Sequence, residues 1–268
     1  MKRGIESSTR FLIRILWDII KTPFILVLAL FGRRRFSEAF RPLKDMWEFV
    51  REARFTFWMV AILWFIYLGS AFFIPEEMLL SLLHYPSDLF SIRIYTLITA
   101  GFLHADFAHI IGNTIALFLF GRVVESRLGT SKTMILYFGA LILSGIFSSM
   151  VYLFYLGDNT PSLGASGAIM GLVSAAILLA PFNITYQLLI PMPLMVIGWI
   201  YIYADIIGIV SQADDNIGHF AHLFGFLSIA VLTYLMGKHD KIRIKKGMII
   251  NCLSLLIGLV IYALIYWI

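Results

Sequence analysis

The sequence predicts an all-α membrane protein that crosses the bilayer six or seven times. Three observations carry that expectation. Hydrophobic residues make up 60% of the 268 residues and charged residues only 14%, with a mean hydropathy of +0.88. A soluble domain lies nearer half apolar and a quarter charged. The apolar residues gather in long runs, and at roughly 20 residues per span plus loops the chain holds six or seven helices. Lysine and arginine crowd some links between the runs and are missing from others, as membrane topology requires. The net charge of +5 therefore points to orientation and not to nucleic acid. The single cysteine, Cys252, lies inside the last run, so neither an internal disulfide nor a cysteine metal cluster is available.

Taken in order, residues 1–54 form a separate N-terminal segment. Phe11 to Phe31 is apolar but broken by Arg14, Asp18 and Lys21, and its clean part, Pro23 to Phe31, is too short to span. An interfacial amphipathic segment fits it better than a transit peptide. A stretch of mixed charge follows, from Arg33-Arg34-Arg35 to Arg54. Spans are expected near residues 55–74, 105–124, 132–156, 166–181, 187–210, 217–236 and 247–268. The connection from Ile74 to Leu103 is too apolar for an ordinary solvent loop. Its pieces Leu79 to Leu83 and Ile92 to Phe102 suggest segments lying on or dipping into the bilayer.

Basic residues set the orientation. The N-terminal segment, the link carrying Arg122, Arg127 and Lys132, and the link carrying Lys238, Lys241, Arg243, Lys245 and Lys246 are expected on the cytoplasmic side. The links at 157–165 and 211–216 have no Lys or Arg, and the first long connection has only Arg93, so these are expected outside. An N-inside start in a cell membrane satisfies every assignment, and puts Ser166 and His222 near the outer face.

Those two residues carry the chemistry. Ser166 stands in Gly164-Ala165-Ser166-Gly167-Ala168, where a polar loop meets an apolar run, and His222 stands early in a later run. Groups able to transfer protons are expensive in lipid, and a serine with a histidine base is a minimal nucleophilic unit. Helix packing alone also accounts for the small residues, since Gly167 and Gly171 form a GxxxG pair. The functional reading uses them to admit a substrate backbone to a serine at a helix N-terminus, whose free N–H groups stabilise an oxyanion. The pattern is not the soluble-hydrolase elbow, because position 168 is Ala. His219 and His222 lie three apart and share roughly one helical face. A metal site would draw on His104 and His109 as further donors, and none is expected. No carboxylate follows the histidine pair, so the unit looks like a dyad. Asp205 is one candidate to orient it, but a bond to Tyr201, to a neighbouring helix or to water is the expected use. His109 and Asn113, four apart, stack on one face as N–H donors or as interhelical glue. Glu125 and Arg127 serve structure, or simply surface ion pairing.

Four pieces in order resemble the rhomboid intramembrane serine proteases. They are His104-x4-His109-x3-Asn113, Glu125-Ser126-Arg127-Leu128-Gly129, Gly164-Ala165-Ser166-Gly167 with Gly171, and Ala221-His222-Leu223-Phe224-Gly225. The resemblance runs from about Phe55 to Gly237. It implies a six-helix rhomboid-like core at 55–237, with an extra C-terminal membrane helix at 247–268. It also implies roles. Ser166 matches the nucleophile and His222 the base, while His109, Asn113 and the Ser166 N–H match the oxyanion hole. His104 matches a histidine that holds the first loop, and Glu125 and Arg127 match a conformational clamp. Gly225 matches the glycine that packs the histidine helix on the serine helix, and the fifth span matches a lateral gate. Two positions depart from the family. Tyr95-Thr96 stands where Trp-Arg is usual, so the first loop is expected to be held differently. Ile229 replaces the second glycine of the sixth-span GxxxG, so packing is expected to loosen beyond Gly225. The implied activity is a serine endopeptidase that cleaves transmembrane segments of other membrane proteins in the lipid bilayer, with no cofactor, metal or nucleic acid. The alternative is a non-catalytic membrane factor that binds client helices.

Overall fold

The computed structural model describes residues 8–187, 190–213 and 217–267. Among the described residues, two longer helices precede the membrane bundle, α1 (Ser8–Leu30) and α2 (Arg41–Glu52), with a single helical turn at Phe36–Ala39 between them. The bundle itself consists of α3 (Arg54–Phe72), α4 (Phe107–Leu128), α5 (Thr130–Leu156), α6 (Ser166–Leu179), α7 (Leu194–Ser211), α8 (His219–Leu235) and α9 (Lys238–Trp267). Five of these, α3, α4, α5, α7 and α9, are long and apolar enough to cross a membrane; α6 and α8 are shorter apolar helices. The chain is a helical, multi-pass membrane protein.

Helix α6 organises the bundle. It is apolar all round, as a helix enclosed by other helices must be, and every residue from Gly167 to Ile177 is buried. Its 14 residues span about 21 Å at a rise of about 1.5 Å per residue, against about 30 Å for a hydrocarbon core. Enclosed by its neighbours, it need not span the full hydrocarbon core. Small residues bring α5 and α8 against it. A Cβ on Gly225 would run into the Gly167 carbonyl oxygen, and one on Gly171 into Ala140 Cβ. Close backbone approach supplies van der Waals contact where lipid provides no hydrophobic drive. The expected loosening beyond Gly225 does not occur. Ser228, Ile229 and Leu232 remain buried, and the Leu232 side chain fills the hollow at Gly139, 2.5 Å from where a Cβ would stand. The contact passes from backbone against α6 to side chain against α5.

Two span boundaries differ from expectation. The fifth span begins at Leu194 and not near 187, because Ile184–Gln187 (β1) and Ile190–Pro193 (β2) pair antiparallel in a short hairpin. Pro191 and Pro193 cannot donate to a helix, and Pro193 stands immediately before α7. Residues 188–189, between the two strands in the sequence, lie outside the described residues, as do 214–216 of the link expected outside. The last helix begins at Lys238 and not near 247. Lys and Arg are good helix formers, and Asp240 in the first turn suits a helix N-terminus. Asp240 also pairs with Lys132 of α5.

The N-terminal helices lie at the end of the bundle where α3 begins. Arg14 pairs with Asp45 at 3.3 Å and Arg41 with Asp18 at 3.6 Å, joining α1 to α2. Ile15 packs with Ala53, Phe57 and Phe118. Trp17, Ile20, Phe24 and Val27 of α1 stay exposed, leaving one charged face and one apolar face, as an interfacial segment requires. Nearby, Arg122 pairs with Glu52 at 3.2 Å.

Candidate active site

The segment entering Ser166 is held by the long connection between α3 and α4. His84 and Ser162 exchange both backbone bonds, at 3.2 and 2.8 Å, and Gly164 N–H donates to Ala100 O at 2.9 Å. Side chains lock this connection. Thr96 Oγ1 donates to Asp88 Oδ2 at 3.2 Å and lies 2.8 Å from His84 Nδ1. The carboxylate only accepts, so His84 Nδ1–H donates to Thr96, and His84 Nε2 accepts from Ser149 at 2.9 Å. Arg93 Nε completes the chain on Asp88 Oδ1 at 3.0 Å. Burial pushes the His84 pKa below its ordinary value, which keeps the ring neutral and able to do both. Thr96, the departure from the usual Arg, is fully buried at the centre of this network.

Ser166 and His222 meet at one cavity of about 270 Å³. Its walls are Gly112, Asn113 and Ala116 of α4, Ser166 and Met170 of α6, Tyr201 and Asp205 of α7, and His219 and His222 of α8. Ser166 is the first residue of α6, so its N–H belongs to the turn that has no intrahelical acceptor. Asn113 Nδ2 lines the same cavity, buried and without a hydrogen-bond partner among the described residues. Such donors are rare in native interiors and concentrate where a ligand is to be bound. His109 stands beside the loop that precedes the serine. Gly164 has φ of +118°, and a Cβ there would lie 2.7 Å from His109 Nε2 and 3.7 Å from Asn113 Nδ2. Only glycine fits both the backbone conformation and the approach. Asp106 caps α4 by accepting from His109 N–H at 2.8 Å. His109 Nδ1 accepts from Ala105 N–H at a long 3.5 Å, which leaves the proton on Nε2, facing Gly164. His104 is buried edge-on to His109, ring centroids 5.0 Å apart.

Of the uses open to Asp205, the structure shows a bond to a neighbouring helix, and its partners there are the two histidines. Asp205 is only 4% exposed, and its Oδ1 lies 2.9 Å from Nδ1 of both His222 and His219. The histidine pair thus has a carboxylate, supplied by α7 and not by its own motif. The sequence signal was a lone acidic residue in an apolar span, which is a functional hypothesis by default. Among the described residues, no three His, Cys, Asp or Glu side chains are grouped to hold a metal ion.

Several predicted residues lie away from the cavity. Glu125 is 2% exposed and far from a surface ion pair. It accepts from Phe55 N–H, Thr56 N–H and Thr56 Oγ1 at 2.8–2.9 Å, and from Thr130 Oγ1 at 2.7 Å. It therefore closes the first turn of α3 and ties that helix to α4 and α5. Arg127 takes part through its carbonyl, which accepts from Arg243 at 3.3 Å. Gly167, Gly171 and Gly225 form the helix crossings described above.

Comparison with known proteins agrees with this architecture. The chain is 28% identical over 202 residues to RHOMBOID-like protein 12, mitochondrial, of Arabidopsis thaliana, a match covering 70% of this chain and 56% of that protein. It is 30% identical to the putative rhomboid protease YdcA of Bacillus subtilis (strain 168), over 53% of this chain and 66% of that protein. It is 35% identical to the rhomboid protease GluP of the same strain, over 52% of this chain and 26% of that protein. The matched region is thus only part of each relative's length. The family model for the Rhomboid domain matches residues 92–239, more than half of the sequence and all of the cavity-lining helices, and the chain belongs to the rhomboid family.

Proposed function

We propose that this protein is a serine endopeptidase that cleaves membrane-spanning segments of other membrane proteins, with Ser166 as nucleophile and His222 as general base. The observation that carries this is the meeting of Ser166, His222 and Asn113 at one cavity between α4, α6, α7 and α8. His222 Nε2 takes the Ser166 proton as Oγ attacks the scissile carbonyl. The Ser166 N–H, Asn113 Nδ2 and His109 Nε2 hold the oxyanion. His222 then protonates the leaving amine, and water hydrolyses the acyl-enzyme. A substrate helix hides its carbonyls in hydrogen bonds, so the cleaved stretch must unwind. Small or helix-weakening residues near the substrate's end therefore favour cleavage.

The basic N-terminal segment and the 238–246 stretch are proposed to face the cytoplasm, and the cavity the opposite side. The division into an N-terminal segment at 1–54, a protease core at 55–237 and an added α9 rests on the same pattern. Mitochondrial belongs to the printed names of three relatives and chloroplastic to that of a fourth, and the basic distribution orients the chain in any membrane of that polarity.

Ser166→Ala and His222→Ala should each abolish cleavage of a model membrane substrate and labelling by a fluorophosphonate. Labelling that persists in Ser166→Ala refutes the assignment. Client binding by wild type with no labelling at all supports the non-catalytic alternative.

A further inference from the structure

We propose that Asp205 is a positioning residue that fixes the His222 imidazole as a base, so that Ser166 and His222 act with a carboxylate supplied by the neighbouring helix. The proposal rests on the serine-peptidase reading above. Asp205 is the lone Asp, Glu, Lys or Arg in α6, α7 and α8, and it is buried. A carboxylate at such a place needs compensating donors. Its Oδ1 has two, Nδ1 of His222 and Nδ1 of His219, each at 2.9 Å. A carboxylate accepts only, so each ring donates its Nδ1 proton. The lone pair of His222 then sits on Nε2, the nitrogen a general base must present to a hydroxyl. When His222 takes the serine proton, the adjacent carboxylate stabilises the imidazolium.

Helix α7 is shaped for this. One turn beyond Asp205, a Cβ on Gly208 would overlap the His219 ring, so the glycine seats one ring while the aspartate holds both. His219 and His222 lie three apart on α8 with ring centroids 6.5 Å apart, which allows both Nδ1 atoms to reach one oxygen. Among the described residues, the titratable groups facing His222 are Tyr201 and Asp205 from α7, His219 from α8 and His109 from α4, and no Lys or Arg lines the cavity.

The test compares wild type, Asp205→Asn and Ser166→Ala in detergent on one model transmembrane substrate. Asparagine keeps the shape but cannot stabilise the imidazolium or enforce the tautomer. For Asp205→Asn, kcat should fall about tenfold or more, with KM within about twofold. Ring nitrogen-15 NMR of the wild-type protein should report the Nδ1–H tautomer for His222, a readout that survives if the variant misfolds. An unchanged kcat in folded Asp205→Asn, or an Nε2–H tautomer in wild type, overturns the proposal while leaving Ser166 as nucleophile. Turnover retained in Ser166→Ala overturns both readings.

Discussion

Asn113 shows how much one side chain decides. Its Nδ2 is buried and unpartnered among the described residues, 3.7 Å from a would-be Cβ on Gly164, and it lines the cavity with Ser166. If it serves the oxyanion, Asn113→Ala should lower kcat by about 100-fold, the scale of losing one oxyanion donor. KM should change little, because the bond forms chiefly in the transition state. A variant with wild-type kcat would assign Asn113 to packing. The spacing from His109 to Asn113 was legible in sequence because helical periodicity puts residues four apart on one face. Which group each faces was not, since that depends on where the loop at Gly164 crosses α4.

At the scale of elements, the connection between α3 and α4 determines how the serine segment is presented. The chain from Ser149 through His84 and Thr96 to Asp88 and Arg93 is one continuous set of donors and acceptors. Thr96→Val removes the acceptor for the buried His84 Nδ1–H. It should cost about 1–3 kcal/mol, measured as a lower melting temperature and faster proteolysis within residues 73–106. The same network makes the loop sensitive to acid. The folded pKa of His84 lies below its value in the opened loop, near 6.5. Between the two values the open form binds a proton and the folded form does not, so stability falls as pH drops below about 6.5. Proteolysis of the loop should therefore accelerate below that pH in wild type and lose the dependence in His84→Asn. The sequence showed that Thr96 departs from the family. It did not show His84 as its partner, because the two are joined only when the loop folds back over α5.

On the scale of the whole molecule, α6 is the axis against which the others register. The crossing at Gly225 and Gly167 sets the separation of the serine helix from the histidine helix. Gly225→Val would place a side chain against the Gly167 carbonyl, pushing α8 outward. Fluorophosphonate labelling should be lost even though Ser166 and His222 are unchanged, and a variant with undiminished labelling would show that the crossing tolerates separation. Farther along α6, α9 docks by the same device. A Cβ on Gly247 would meet the Leu178 carbonyl, and Asn251 bonds Ile177 O at 3.0 Å and Trp199 Nε1 at 3.0 Å, joining α9 to α6 and α7. The Gly-rich motifs announced close crossings in the sequence, whereas the Leu232 side chain filling the hollow at Gly139 could not be read there. It pairs residues far apart in the chain, and Ile229 alone suggested a gap.

By itself the sequence determined that this chain is a helical membrane protein, where most of its spans lie, though not the starts of the fifth and the last, and which short motifs place a serine and a histidine at helix starts. Those properties are local: transfer of apolar runs into lipid, helical periodicity and the conformational demands of glycine and proline. Only the tertiary structure decided that Asp205 answers to both His219 and His222, that Glu125 closes the first turn of α3, and that Thr96 and His84 hold the loop before the serine. Each of these is a buried polar group whose energy depends on a partner from another helix or loop, and the order of residues along the chain does not name that partner.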